Sequence, residues 1–240
     1  MQFPTFENCT FIENTHEYFY EDPVTHTKRK IPFSVTKLVS FLDKDPFNSD
    51  FISKCLAKKI VAGTCDDPDY MNIINEEEMN GKSDQLIDNV QKRVLGIWDK
   101  NREDGTMAHA IGENFLKNNV IYTDEEFKSE FGKIREFIED QRKKGFEVFE
   151  LSNGAKSVEL RVCDPDMKTI FHDKKIGCAG SVDLIVRDSL GRYKICDWKR
   201  TKPNGNQTKQ NEHWMAQLGL YYKIIKKYFP AFEVCEFVIQ

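Results

Sequence analysis

The sequence lacks the features that mark several common classes of protein. Its seven cysteines, at positions 9, 55, 65, 163, 178, 196 and 235, form no C-x-x-C pair. An odd, scattered set of cysteines argues against a disulfide framework and against a structural zinc site. No apolar run is long enough to cross a bilayer, and there is no Walker A sequence. The sequence therefore predicts neither a membrane protein nor a P-loop nucleotide-binding site.

Targeting signals are also missing from the beginning of the sequence. Residues 1–14 have neither the charged and apolar regions of a secretory signal nor the Arg-rich, acid-poor character of a transit peptide. Of the 240 residues, 40% are hydrophobic and 31% charged, which is typical of a globular protein. We therefore expect a soluble, intracellular protein. The formal net charge of −4 does not indicate a nucleic-acid binder, but acidic residues of a metal site would contribute to such a total.

The stretch 176–202 has the pattern of two strands joined by a turn at 188–192. Asp183 lies on the first strand. Asp197 and Lys199 share a parity on the second and so project from the same face. Two carboxylates with a neighbouring lysine can form a divalent-metal site beside a cation, a combination that phosphodiester hydrolysis needs. The alternative is a polar hairpin with a surface salt bridge.

The periodicity of the rest of the chain predicts an α/β fold with a mixed central sheet flanked by helices. Gly105 and Thr106 are expected to separate two helices. Residues 1–104 are predicted to form an accessory hairpin and a mainly helical cap, and residues 105–240 the core. The predicted helices are 47–62, 84–104, 107–119, 123–144 and 212–229, and the further strands are 146–152, 155–162, 168–172 and 232–239.

Other polar residues fall at spacings that place them on one face of an element. His109 and Glu113 are four residues apart on a predicted helix, as are Gln217 and Tyr221 on the last helix. Glu159 lies in a predicted strand between two apolar residues. A single His–Glu pair is more commonly a structural hydrogen bond than a pair of ligands, so this pattern alone leaves both interpretations open.

Residues 11–33 have the pattern of a small hairpin whose basic residues could contact phosphates. These are His26 and residues 28–30, and a solvated turn is the alternative. Ser34 and Thr36 precede an apolar-periodic run, which indicates a helix N-cap. A helix N-terminus can also hold a phosphate through its free N–H groups.

Four motifs, in their order and context, resemble the RecB-type branch of the PD-(D/E)XK nuclease superfamily. They are G-T-x-x-H-x-x-x-E at 105–113, G-x-V-D at 180–183, D-x-K at 197–199 and Q-x-x-x-Y at 217–221. Each motif is common alone, but all four in this order on suitable elements are specific. The Ser-Val-Thr segment at 34–36 and the D-W-K triplet look most like the mitochondrial genome maintenance exonuclease group.

The resemblance implies a PD-(D/E)XK, restriction-endonuclease-like core at 105–240 with Mg²⁺ or Mn²⁺ as cofactor. It implies metal ligation by His109, Asp183, Asp197 and the Trp198 carbonyl. Hard oxygen ligands suit both ions, and an imidazole favours Mn²⁺. Lys199 would orient the attacking water or stabilise the charge that develops on the phosphate.

The resemblance also implies roles for residues around this centre. Glu159 would serve a second metal or hold Lys199, and Glu113 would support His109. The residues expected to contact nucleic acid are Gln217, Tyr221, Arg200, Lys202, Ser34 and Thr36. Relatives with an iron–sulfur cluster carry cysteines after the Q-x-x-x-Y helix, where this sequence has only Cys235, so no cluster is expected.

The function implied is that of a metal-dependent exodeoxyribonuclease on single-stranded DNA or frayed ends. Its expected partners are nucleic acid, with single-stranded DNA first, and other replication or repair proteins, with no membrane. An endonuclease acting on DNA or RNA remains an alternative. So do a non-catalytic nucleic-acid-binding module of the same fold and an α/β domain whose charges are all structural.

Overall fold

The structure is a computed structural model that describes residues 3–4, 6–42, 47–70, 72–74, 84–168, 175–199 and 207–239, without the side chains of 207–209. Its strands are β1 (Cys9–Ile12), β2 (Glu17–Glu21), β3 (Lys28–Ile31), β4 (Phe33–Ser34), β5 (Phe146–Val148), β6 (Val158–Asp164), β7 (Cys178–Asp188), β8 (Tyr193–Asp197) and β9 (Val234–Ile239). Its helices are α1 (Val35–Ser40), α2 (Ser49–Val61), α3 (Asp84–Asn118), α4 (Glu125–Lys143) and α5 (Gln207–Tyr228).

The long strand β7 is the centre of a six-stranded mixed sheet. β5 and β6 pair with it in antiparallel register on one edge. On the other edge β8 is antiparallel to β7, and the short β4 is parallel to its beginning. The parallel strand β9 extends the sheet beyond β8. The mixed α/β architecture expected from the sequence is therefore confirmed.

The turn between β7 and β8 follows directly from its sequence. Asp188 Oδ1 accepts hydrogen bonds from the backbone N–H groups of Leu190 and Arg192, at 3.0 and 2.8 Å. Gly191 has a φ of 81°, which a residue with a side chain adopts only at a cost. The predicted hairpin is present in the described residues as β7 and β8, and its tight turn fixes the register of the two strands.

Helices pack against the sheet through two apolar clusters. One cluster joins α5 to the strands and includes Leu218, Ile224, Ile225, Val162, Ile185 and Ile195. The other joins α4 and the last turns of α3 to the strands and includes Ile111, Phe131, Ile134, Phe137, Leu184 and Cys196. The apolar residues of α4 recur every three or four positions, which is the period of a helix with one buried face. In the described residues no helix is both long and apolar enough to cross a membrane.

The basic hairpin predicted near the beginning of the chain is part of a separate three-stranded sheet, β1–β2–β3. Its inner face is closed by Cys9 and Ile31, which pack with Cys163 of β6 and Ala179 of β7. Two of the basic residues at 28–30 have acidic partners, because Arg29 pairs with Asp166 and Lys30 with Glu17.

The chain divides into two compact units, 1–43 with 108–240, and 44–107. The first contains both sheets, α4 and α5. Within the second, α2 and the beginning of α3 bury a small apolar cluster that includes Ala57 and Val90. The division at 104/105 expected from the motifs stays a prediction about domain organisation.

One prediction of an element is wrong. A helix break was expected at Gly105 and Thr106, but α3 is continuous through both residues. A single glycine in a helix costs only about 1 kcal/mol relative to alanine, which a long helix tolerates. Thr106 Oγ1 donates to the Arg102 carbonyl one turn earlier, so its hydroxyl is satisfied within the helix. The short strand expected at 168–172 falls largely outside the described residues.

Candidate functional site

Three carboxylates form a row across neighbouring strands. In β7, Leu184 pairs both with the residue before Glu159 in β6 and with the residue before Asp197 in β8. Because these strands are antiparallel to β7, both carboxylates lie opposite Asp183, the residue that precedes Leu184. The sheet register therefore gathers residues that are far apart in the sequence.

Glu159 occupies a strained position in this row. Its φ is 48°, in the left-handed region that residues with side chains rarely adopt. Its carboxylate contacts His109 Nδ1 at 3.3 Å and accepts a hydrogen bond from Ser181 Oγ at 2.8 Å. Burial, the largest single influence, raises the pKa of Glu159, but the two hydrogen bonds and the positive charges of His109 and Lys117 together lower it below its ordinary value.

His109 extends from α3 toward the carboxylates. Its Nδ1 also lies 3.5 Å from Asp183 Oδ2. Burial, the largest influence, lowers the pKa of His109. The hydrogen bond to Glu159 and the negative charges of Asp183 and Glu159 together exceed that effect, so the net shift is upward.

Asp183 is the carboxylate on the central strand of the row. It is 4% exposed, and its Oδ2 accepts a 2.7 Å hydrogen bond from the Trp198 backbone N–H. Burial and the nearby Asp197 raise the pKa of Asp183 well above its ordinary value. Two acidic groups held together in a buried place favour a shared proton or a bound cation.

Asp197 is only 1% exposed and is flanked by two polar partners. Gln217 Nε2 donates to its Oδ1 at 3.3 Å. Lys199 Nζ lies 2.6 Å from its Oδ2, within ion-pair distance but without the angles of a hydrogen bond. In the described part of the chain no other donor reaches this oxygen. Such an unsatisfied buried oxygen is available to a ligand.

The last helix closes the site through Gln217 and Tyr221. Gln217 Nε2 lies 3.1 Å from the Tyr221 hydroxyl, as the spacing of four residues on one helix predicts. The Tyr221 ring packs directly on Gly180 of β7, where an added Cβ would stand 2.7 Å from a ring carbon. The glycine of the G-x-V-D motif therefore provides the room that this tyrosine fills.

The donor set suits a hard divalent cation. His109, Glu159 and Asp183 can each offer one ligand atom, and these atoms lie within 4.8 Å of one another. Carboxylate oxygens are the preferred ligands of Mg²⁺ and Mn²⁺, and an imidazole is compatible with the latter. Asp197 adds a further carboxylate through the same row. The residues present therefore fit a metal ion.

Some residues expected at the site have other contacts. Glu113 pairs with Lys117 at 2.7 Å rather than with His109. Ser34 accepts a 3.1 Å hydrogen bond from the Lys37 backbone N–H, so it is the N-cap of α1, as the sequence indicated. Thr36 is exposed.

Three further residues expected at the site remain: Trp198, Arg200 and Lys202. The Trp198 ring is buried in the apolar cluster, with an edge-to-face contact to Phe137 at 5.3 Å. Arg200 and Lys202 lie outside the described residues.

Ser181 was missed by the sequence reasoning. It lies two residues before Asp183 on β7, so both side chains belong to the same face of the strand. Its hydroxyl holds the second oxygen of Glu159. The spacing of two residues from Asp183 could have predicted that Ser181 lies on the same face of the strand. Its hydrogen bond to Glu159 could not be predicted, because it depends on how β6 pairs with β7.

A mixed sheet with clustered carboxylates, a histidine and a lysine is the arrangement of an enzyme that uses a divalent cation to hydrolyse phosphodiester bonds. The family model of the PD-(D/E)XK nuclease superfamily matches residues 77–233, which is more than half of the chain. The chain therefore belongs to the PD-(D/E)XK nuclease superfamily, and membership supports a metal-dependent nuclease with a nucleic-acid substrate. Comparisons with curated proteins and with solved structures found no match.

Proposed function

We propose that the protein is a Mg²⁺- or Mn²⁺-dependent exodeoxyribonuclease that acts on single-stranded DNA or on frayed ends. The observation that carries the metal-dependent hydrolysis is the row of Glu159, Asp183 and Asp197 with His109 above it and Lys199 beside it. The choice of an exonuclease rests on the resemblance of the four motifs to the mitochondrial genome maintenance exonuclease group.

In this proposal His109, Asp183 and Asp197 hold the metal with the Trp198 carbonyl. Glu159 joins them or serves a second ion. A bound divalent cation supplies a more acidic water and neutralises charge on the scissile phosphate. The hydrogen bond from Ser181 to Glu159 keeps that carboxylate turned toward the cluster.

Lys199 acts on the reacting groups. Its ammonium is held beside Asp197, and its side chain is about one-fifth exposed. A positive charge in this place orients the attacking water or stabilises the charge that develops on the phosphate oxygens. Gln217 and Tyr221 form the neighbouring wall. In the proposal, they and the residues Arg200, Lys202, Ser34 and Thr36 position the substrate strand.

A cleavage panel tests this function. The purified protein is incubated with Mg²⁺, Mn²⁺ or EDTA and with linear or circular DNA, single- or double-stranded, labelled at either end. We expect linear single strands to be degraded from an end with either metal, closed single strands to stay intact, and EDTA to stop the reaction. Cleavage of the closed circle would replace the exonuclease by an endonuclease, and RNA substrates in the same panel decide the sugar preference. A protein inactive on every substrate would contradict the proposal.

A further inference from the structure

A cavity opens directly beside Glu159. Its volume is about 670 Å³, within the roughly 300–1,000 Å³ common for ligand sites. Its walls are the Phe6–Thr10 segment, the end of α3 with Glu113 and Lys117, the turn that ends at Lys156, and β6 with Glu159 and Arg161. Glu159 belongs to both the cavity and the metal cluster, so a molecule bound here would reach the reacting centre.

The cations of this cavity are not equally engaged. Lys117 is neutralised by Glu113 at 2.7 Å. Lys156 donates to the Leu116 carbonyl and has no carboxylate partner in the part of the chain that the structure describes. Arg161 is exposed and forms neither an ion pair nor a hydrogen bond with any described residue. Lys156 and Arg161 are therefore cations of the cavity that no described carboxylate pairs with, although Glu7 and Glu159 also line it.

Arg161 is fixed in place by its strand. Its backbone pairs with Ser181 of β7, the residue whose hydroxyl holds Glu159. The backbone of Arg161 is therefore held close to the strand residues of the cluster, because β6 is bonded to β7 along most of its length. The guanidinium presents a planar set of donors that matches phosphate oxygens and stays charged at any working pH.

We propose that this cavity binds the backbone of the nucleic-acid strand next to the scissile phosphate, with Arg161 and Lys156 contacting the flanking phosphates. The inference rests on the proposed function, since it takes the strand to be the substrate of the neighbouring cluster. The wall also includes the aromatic Phe6, which is half-buried and lies edge-to-face with Tyr228 at 5.6 Å. None of these residues belongs to the motifs that the sequence analysis used.

Salt-dependent binding tests this subsite in the 240-residue chain. A labelled single-stranded oligonucleotide is titrated by fluorescence anisotropy between 50 and 200 mM salt, roughly the range over which phosphate contacts are read out, in the Lys199→Ala background with EDTA. Adding Arg161→Gln should weaken binding about tenfold and reduce the slope of log K against log salt by about 0.7, the value of one phosphate contact on a single strand. Arg161→Lys should keep the slope because it keeps the charge.

Arg135→Gln is the matched control, since Arg135 is an exposed residue of α4 that pairs with Glu139 and does not line the cavity. It should leave affinity and slope unchanged. In the active protein, Arg161→Gln should raise KM for the same strand. If Arg161→Gln binds with the parent's affinity and slope, the subsite is refuted even where cleavage is normal. If the parent cleaves nothing, the proposed function fails, and the binding comparison still decides the subsite.

Discussion

At the scale of single residues, Lys199 is the group whose loss should separate chemistry from structure. Its ammonium lies beside Asp197, but it is not part of the apolar clusters, so Lys199→Ala should fold. We expect cleavage to fall by about 10²–10³-fold, as for the loss of one charge-stabilising donor. Initial rates at saturating metal measure this. Lys128→Ala, an exposed lysine of α4, is the control. A Lys199→Ala protein that cleaves at the parent's rate would disprove the assignment.

The pKa shifts at the cluster predict how metal affinity varies with pH. The pKa values of His109 and Asp183 are both raised, so in the metal-free protein each holds its proton to a higher pH than usual. A cation needs the deprotonated forms and displaces these protons, so affinity should rise with pH above the ordinary histidine pKa of 6.5. Calorimetric titration with Mn²⁺ at several pH values measures the trend. Equal affinity across that window would contradict it.

Residue types and spacing revealed much of the site before the structure, but not how its members pair. Asp183, Asp197 and Lys199 could be grouped because one predicted hairpin carries all three. The partner of His109 could not be predicted, because Glu113 is nearer in sequence while Glu159 is nearer in space. The left-handed backbone of Glu159 has no sequence signature either, since such strain is imposed by the surrounding sheet.

At the scale of elements, the contact between β7 and α5 gives a prediction of stability. Gly180→Ala would place a Cβ 2.7 Å from the Tyr221 ring, so ring and strand must separate. Overpacking of this kind costs about 1–3 kcal/mol of the free energy of unfolding, and it should also disturb Gln217. Urea denaturation measures the loss.

Gly219→Ala on α5 provides the comparison for this change. An added Cβ there meets nothing within 4 Å. Because alanine favours a helix over glycine, the change should stabilise by up to about 1 kcal/mol. Equal free energies of unfolding for the two variants would contradict the prediction that Gly180 is required by its close contact with Tyr221.

The elements themselves were more predictable where period and turn chemistry agreed. The β7–β8 hairpin has both an alternating pattern and a turn with Asp188 and Gly191, and it was predicted correctly. The break in α3 was wrong because glycine and threonine are weak signals inside a helix with apolar residues on both sides. The pairing of β4 with β7 was not foreseen, since two residues carry no periodic pattern.

At the scale of the whole molecule, metal binding should stabilise the fold. A cation that binds only the folded state adds about 2.7 kcal/mol at one hundred times its dissociation constant. We therefore expect Mn²⁺ to raise the Tm of the protein and EDTA to reverse the rise, as seen by differential scanning calorimetry. The Asp183→Asn change removes a ligand of the cluster but keeps the shape of the side chain. The Tm of this variant should therefore no longer rise when Mn²⁺ is added. A Tm that ignores the metal would contradict the proposed site.

The central position of β7 also has a consequence for how the chain acquires its structure. β4, β5, β6 and β8 all bond to this one strand, and β4 lies far earlier in the sequence than β7. Their pairings cannot form until β7 has been synthesised, and contacts between distant parts of a chain are slow to close. A nascent chain that stops before β7 would expose unpaired strands, which are prone to aggregation. Refolding of this protein should therefore be slow and dependent on protein concentration, with the metal cluster among the last features to assemble.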